Sequence, residues 1–274
     1  MVLTSLAMLA FAGNSLLCRM ALKGTAIDPA TFTSVRVLSG ALALWLIARV
    51  RSGSRIRAGS WPSALALFAY AAAFSFAYVE LSAGTGALLL FGAVQATMIL
   101  TGLWKGERLN ALQGIGLAVA LAGLVALVLP GLSAPPLTSA VLMMGAGIAW
   151  GVYSLRGKGA GDPLAATAGN FLRAVPFAML LSLALLATAR VDAGGIAYAM
   201  ASGALTSGVG YAIWYTALRG LTATSAATVQ LSVPVIAAIG GILLLGEPVN
   251  LRLLGASAAI LGGIALVVAR SKPA

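Results

Sequence analysis

Turn signals cut this chain into apolar runs of about twenty residues from end to end, and no other feature limits its fold as tightly. A helix needs about 20 residues to cross roughly 30 Å of hydrocarbon. The runs fall at residues 3–22, 29–50, 61–82, 84–104, 109–130, 137–155, 163–189, 194–218, 222–245 and 250–270. With 61% hydrophobic residues, 8% charged and a mean hydropathy of +1.02, a soluble domain has too little polar surface to cover itself, since such domains carry roughly 25% charged residues. The expected fold class is an all-α integral membrane protein with ten transmembrane helices.

Seventeen bases against six acids leave a formal charge of +11, which on a soluble chain points to nucleic acid. Here the bases sit between the apolar runs, where Lys and Arg set orientation, so the expected partner is the lipid bilayer and not nucleic acid. Arg49, Arg51, Arg55, Arg57, Lys105, Arg108, Arg156, Lys158, Arg219, Arg270 and Lys272 occupy alternate connections. The opposite set holds only Arg19, Lys23, Arg190 and Arg252, which assigns both termini to the cytoplasm. Met1-Val2-Leu3-Thr4 lacks a basic n-region, so the first run reads as a helix and not as a cleaved signal. The bacterial inner membrane is the expected location, with the chain a monomer or weak dimer.

The absence of histidine and the single cysteine, Cys18, exclude Ser-His-Asp catalysis, His-ligated zinc, an internal disulfide and a thiolate cluster. There is no G-x-x-x-x-G-K-[ST] phosphate loop. No catalytic residue, metal or cofactor is expected, and the chain does not read as an enzyme.

The second half repeats the first. Gly106-Glu107-Arg108-Leu109-Asn110 recurs as Gly246-Glu247-Pro248-Val249-Asn250, and Phe11-Ala12-Gly13-Asn14-Ser15 parallels Trp150-Gly151-Val152-Tyr153-Ser154. Asp28-Pro29 parallels Asp162-Pro163, Arg36 parallels Arg173, and Tyr78 parallels Tyr215. These matches divide the chain into five-helix repeats at 1–132 and 133–274. Five is odd, so the second repeat enters the membrane from the opposite side and the topology is inverted. Two inverted halves can exchange inward-open and outward-open shapes around a midplane site, which is how many secondary transporters are built. A pore is the principal rival.

Gly106-Glu107 and Gly246-Glu247, with Pro234-Val235 ahead of the second glutamate and the run Gly208-Val209-Gly210-Tyr211-Ala212-Ile213-Trp214, give the whole chain a resemblance to the drug/metabolite transporter superfamily, EamA-type branch. The first half departs from the pattern, with Val94-Gln95 standing where the second has Pro234-Val235. The resemblance implies export or exchange of small metabolites by alternating access, and the chain looks most like bacterial exporters of amino acids, including aromatic ones. Neighbouring branches carry drugs, sugar nucleotides, purines and organic acids on the same scaffold, and fold does not fix substrate.

A polar side chain inside a span is costly unless it faces the bundle interior or a wet cavity. The candidate substrate-binding residues are therefore Asn14, Ser15, Tyr78 and Gln95 from the first half, and Trp150, Tyr153, Tyr211, Trp214, Tyr215 and Gln230 from the second. Tyr211, Trp214 and Tyr215 share a helix face that can stack on a planar substrate and still offer hydrogen bonds. Interfacial anchoring is the plainer role for such rings and suits Trp45, Trp61 and Trp104. Asn14 and Gln95 equally suit interhelical hydrogen bonds, worth roughly 1 kcal/mol or less.

Arg36 lies about two turns into the second run and Glu80 near the same side of the third, where an ion pair would fit; Arg173 has no acid at matching depth. Snorkelling or carbonyl capping is the expected role of both arginines, with attraction of a substrate carboxylate as the functional alternative. Only Glu80 among the acids approaches the interior, so the usual relay of buried carboxylates is missing and facilitated export or exchange is expected. Gly147-x-x-x-Gly151 and Gly255-x-x-x-Ala259-x-x-x-Gly263 are small-residue ridges for close helix contact. Gly92, Gly240 and Pro234 are hinge candidates.

Overall fold

A computed structural model describes residues 2–52, 58–106, 108–131, 134–157, 162–218 and 229–269, and every regular element among them is helical. The helices are α1 (Val2–Gly24), α2 (Pro29–Ser52), α3 (Trp61–Tyr78), α4 (Ala83–Trp104), α5 (Ala111–Val128), α6 (Leu137–Gly157) and α7 (Pro163–Ala184). Next comes α8, which opens as Ala193–Ala201, passes through π-helical turns over Ser202–Val209 and continues as Gly210–Leu218. Two more, α9 (Ser232–Leu245) and α10 (Leu251–Ala269), complete the set. Nine of these ten are long and apolar enough to cross a membrane, and α9 is a shorter apolar helix. The chain is a multi-pass membrane protein. Residues 222–228 of the ninth run, the repeat boundary at 132 and 133, Glu107, Arg55, Arg57, Lys158, Arg219, Arg270, Lys272 and the side chain of Tyr215 lie outside the described residues.

Helix ends explain two of the repeated motifs. Asp28 accepts from the N–H groups of Ala30 (2.9 Å) and Thr31 (3.0 Å), and Asp162 does the same for Leu164 (3.0 Å) and Ala165 (3.2 Å). Each is an N-cap before a proline whose missing N–H costs nothing in the first turn. Gly106 and Gly246 take positive φ angles, 95° and 60°, a conformation that suits glycine at a helix C-terminus. Asn110 and Asn250 then cap α5 and α10, the first in a reciprocal box with Gln113. The Gly-Glu-x-x-Asn motif is thus a stop followed by a start. Two ends differ from the sequence reading. α3 finishes at Tyr78 instead of 82, because Ser82 turns away to cap α4; α7 finishes at Ala184 and leaves a short 3-10 turn at Leu186–Thr188.

Two pairs of equivalent helices, α5 with α10 and α2 with α7, pack antiparallel, as inversion requires. Along α5 and α10, Gln113 donates to the Val267 carbonyl at 3.1 Å, Gly116 lies against the Gly263 carbonyl, and Gly123 lies against Ala259. Along α2 and α7, Ser34 donates to the Ala178 carbonyl at 2.8 Å while Gly40 meets the ring of Phe171. Gly147 and Gly151 let α6 close on α4, where a Cβ would sit 2.5 Å from the Leu90 carbonyl or 2.9 Å from Thr97. Gly263 takes part in its ridge, whereas Gly255 faces open space. Of the hinge candidates, Gly92 abuts Leu124, Gly240 abuts Leu16, and Pro234 is buried in the first turn of α9.

Candidate functional site

Five helices from both halves meet around a cavity at mid-depth. Phe11, Asn14 and Ser15 of α1, Tyr70 and Phe74 of α3 and Leu90 and Phe91 of α4 line it from the first half; Trp150 of α6 and Thr206, Ser207 and Tyr211 of α8 complete it. Trp150 is the centre of an aromatic wall, with ring centroids 4.9 Å from Tyr70, 5.2 Å from Tyr211 and 5.4 Å from Tyr153. Phe11 meets Tyr211 and Trp214 edge-on at 5.9 and 5.7 Å. The space open to the centre of a water molecule is about 20 Å³, roughly one water's worth, so the rings close the site in this conformation.

The polar groups form a network across the two halves. Asn14 donates to the Tyr70 hydroxyl at 3.1 Å, and its amide oxygen accepts from Ser202 at 2.7 Å and Thr206 at 3.3 Å. Thr206 also bonds the Ser202 carbonyl at 2.7 Å, inside the π-helical stretch of α8. That stretch widens the turn and turns Ser202, Thr206 and Ser207 inward, consistent with the frequent use of such turns at functional sites. The backbone approaches α2 so closely there that a Cβ on Gly203 would collide with the Arg36 carbonyl and Ser39.

Arg36 overturns its expected role. Instead of snorkelling or capping carbonyls it is only 2% exposed, with its guanidinium carbon 5.1 Å from the Tyr70 ring centre and 4.8 Å from that of Phe74, and it donates to the Tyr70 hydroxyl at 2.9 Å. No ion pair with Glu80 forms. Arg36 points into the bundle, while Glu80 sits past the end of α3 and accepts from the Ser139 hydroxyl. The five described acids are all committed elsewhere: Asp28, Asp162 and Asp192 to caps, Glu80 to Ser139 and Glu247 to Arg19. An arginine at the centre of a span costs about 2.5 to 3.5 kcal/mol on insertion scales. Among the described residues, Arg36 Nη1 and Ser207 Oγ are the buried side-chain atoms that lack any hydrogen-bond partner.

One end of the bundle is tied shut by a satisfied ion pair. Arg19 of α1 meets Glu247, in the α9–α10 turn, at 3.1 Å and donates to the carbonyls of Tyr78 (2.9 Å) and Val79 (2.8 Å). The second oxygen of Glu247 accepts from the Ala83 N–H at 2.8 Å. The repeated glutamate therefore joins the two halves where three elements converge.

Of the sequence candidates, Asn14, Ser15, Trp150 and Tyr211 line the cavity. Tyr153 stands behind Trp150 and accepts from Asn170 at 3.4 Å, and Trp214 packs on Phe11. Tyr78 lies apart from the cavity, fully buried, its hydroxyl donating to the Ala83 carbonyl at 3.2 Å and its ring filling the space that Gly86 leaves. Gln95 is buried farther along α4 and Gln230 is a half-buried helical residue just before α9; neither lines the cavity. Sequence reasoning missed Tyr70, Phe74, Thr206 and Ser207. The hydroxyls carried a signal, since Ser202, Thr206 and Ser207 repeat at helical spacing in an otherwise apolar span.

The sequence matches the profile of the EamA-like transporter family twice, over residues 1–129 and 137–269. An uncharacterized protein of Pseudomonas aeruginosa is 61% identical over 270 residues, 98% of this chain and 94% of the relative. A protein of Streptantibioticus cattleyicolor described as a "probable terminal-alkyne amino-acid exporter" is 28% identical over 89% of this chain and 85% of its own length. An uncharacterized transporter of Archaeoglobus fulgidus is 25% identical over 79% and 80%. A solved crystal structure superposes with a TM-score of 0.69 at 17% identity, covering 100% of this chain and 98% of the other, which shows a shared fold.

Proposed function

The chain belongs to the EamA-like transporter family, and from that premise we propose that it exports small amphipathic metabolites, amino acids including aromatic ones first among them. The carrying observation is the mid-depth cavity built by both halves, with an aromatic wall around Trp150 and a hydrogen-bonding side at Asn14, Thr206 and Ser207. Flat rings and short polar donors suit a small molecule with an apolar and a polar end. A relative described as an amino-acid exporter supports the same class.

The proposed cycle is alternating access in the bacterial inner membrane with both termini in the cytoplasm. In that orientation the Arg19–Glu247 pair lies at the outer end, and the structure is a state closed to the outside. A cavity with room for about one water, blocked at one end by an ion pair, favours a carrier over a pore. No described buried acid is available for a proton relay, which favours facilitated export or exchange.

Uptake into proteoliposomes tests this reading, using labelled phenylalanine, tryptophan and threonine with and without unlabelled substrate inside. Saturable uptake, accelerated by internal substrate and lost in Trp150→Ala, is expected. Absence of uptake of every amino acid by a folded protein would remove the amino-acid assignment and turn the search to drugs and nucleotide-type metabolites.

A further inference from the structure

The protein buries a permanent positive charge beside its cavity and, among the described residues, gives it no negative partner. Arginine cannot shed its proton in a protein, so burial cannot neutralise Arg36. Its nearest polar neighbour, Tyr70, accepts hydrogen bonds from both Arg36 (2.9 Å) and Asn14 (3.1 Å). With its oxygen already accepting twice, Tyr70 has its own O–H left to donate, and it meets no acceptor among the described residues. Tyr70 and Ser207 line the cavity, and Ser207 Oγ and Arg36 Nη1 are both buried without a partner. Tyr70 and Ser207 thus bring two hydroxyls to a cavity that Phe11, Phe74, Phe91, Trp150 and Tyr211 line with rings, and the Arg36 guanidinium lies against the Tyr70 and Phe74 rings of that lining. These donors lack a negatively charged acceptor.

We infer that the Arg36 side of the cavity is the subsite for a carboxylate on the transported molecule. Arg36 supplies the charge, Tyr70 and Ser207 the hydroxyl donors, and the wall of Trp150, Tyr211 and Phe11 receives the apolar part. One guanidinium balances one negative charge, so a monoanionic carboxylate is favoured over a dianionic phosphate. The inference rests on the transport reading and narrows it: the substrate is an acid, whether or not it also carries an amine.

The test is ligand-dependent thermal stabilisation of the purified protein in detergent, titrated with phenylalanine, phenylacetate, phenylalaninamide, phenethylamine and phenyl phosphate. Phenylacetate should bind about tenfold or more tightly than phenethylamine, the scale on which charge-assisted hydrogen bonds discriminate. In Arg36→Gln that preference should collapse to within about twofold. Arg36→Lys keeps the charge and should retain the acid preference at lower affinity, which covers the case in which the glutamine variant does not fold. Equal binding of acid and amine by the wild type, preference for phenyl phosphate, or an acid preference that survives Arg36→Gln would each overturn the subsite. If phenylacetate binds as inferred while phenylalanine is neither bound nor transported, the carboxylate subsite stands and the amino-acid reading falls.

Discussion

The sequence parallel pairs Arg36 with Arg173, and the fold treats the two arginines oppositely. Arg173 of α7 donates to the carbonyls of Ala58 and Gly169 at 2.8 and 2.9 Å, the carbonyl-capping role expected of it. Arg36 of α2 is turned inward between Tyr70 and Phe74 with one nitrogen unsatisfied. A third arginine, Arg19, supplies the reference for a fully matched buried cation, held by Glu247 and two carbonyls. The same residue type thus serves as latch, cap and unmatched charge. A buried charge without a partner marks a position to test for function, and by that criterion Arg36 and not Arg173 is the arginine to test.

The largest effect should come from the latch. Glu247→Ala leaves Arg19 buried with carbonyls alone, and loss of one partner from a buried pair costs about 3–5 kcal/mol, measurable by unfolding in detergent. Arg36→Gln should act with the opposite sign on stability: removal of an uncompensated charge should leave the melting temperature equal or higher while transport falls about tenfold or more. Should Arg36→Gln melt lower and transport normally, Arg36 is a structural residue and the contrast with Arg173 disappears. Arg173→Gln is expected to lose about 1 kcal/mol of stability through its two carbonyl contacts, with transport within about twofold of wild type.

The smallest effects concern the caps. Asp28→Ala and Asp162→Ala should each cost about 1 kcal/mol, with Asp28 the larger because it also accepts from the Arg190 N–H at 2.8 Å. Burial opposes the charge on Asp28, but hydrogen bonds from Thr31, Arg190 and Ala30 overcome it and hold its carboxyl below the usual value. With the folded-state value lowered, the stabilisation is complete above the unfolded value and is lost as pH falls through the folded one. Unfolding curves of wild type and Asp28→Ala should therefore differ by a constant amount from pH 7 to about 5 and converge below about pH 4.

Much of this architecture was legible because it follows from one-dimensional rules. Span length, Asp-Pro starts, glycine stops and the order of repeated motifs each leave a local mark, and the antiparallel pairing of α5 with α10 follows once the repeats are seen to be inverted. The cavity was half legible. Asn14, Trp150 and Tyr211 are conspicuous in their spans, but the sequence reading names Tyr78 and leaves out Tyr70. Which of two tyrosines eight residues apart faces the cavity depends on α3 ending at Tyr78 and on Gly86 making room for that ring. The π-helical turns that present Thr206 and Ser207 were not legible, since their register depends on contact between Gly203 and α2. The burial of Arg36 was hidden for the same reason: it depends on packing between helices distant in sequence.

Counterflow separates a carrier from a pore. Liposomes holding the purified protein are loaded with unlabelled phenylalanine and diluted into a trace of labelled phenylalanine, and internal label is followed with time. A carrier whose single cavity faces one side at a time gives a transient accumulation of label above the external concentration, and this overshoot should vanish in Trp150→Ala. Label that rises only to the external concentration, without overshoot, would mean a pore and would contradict the account.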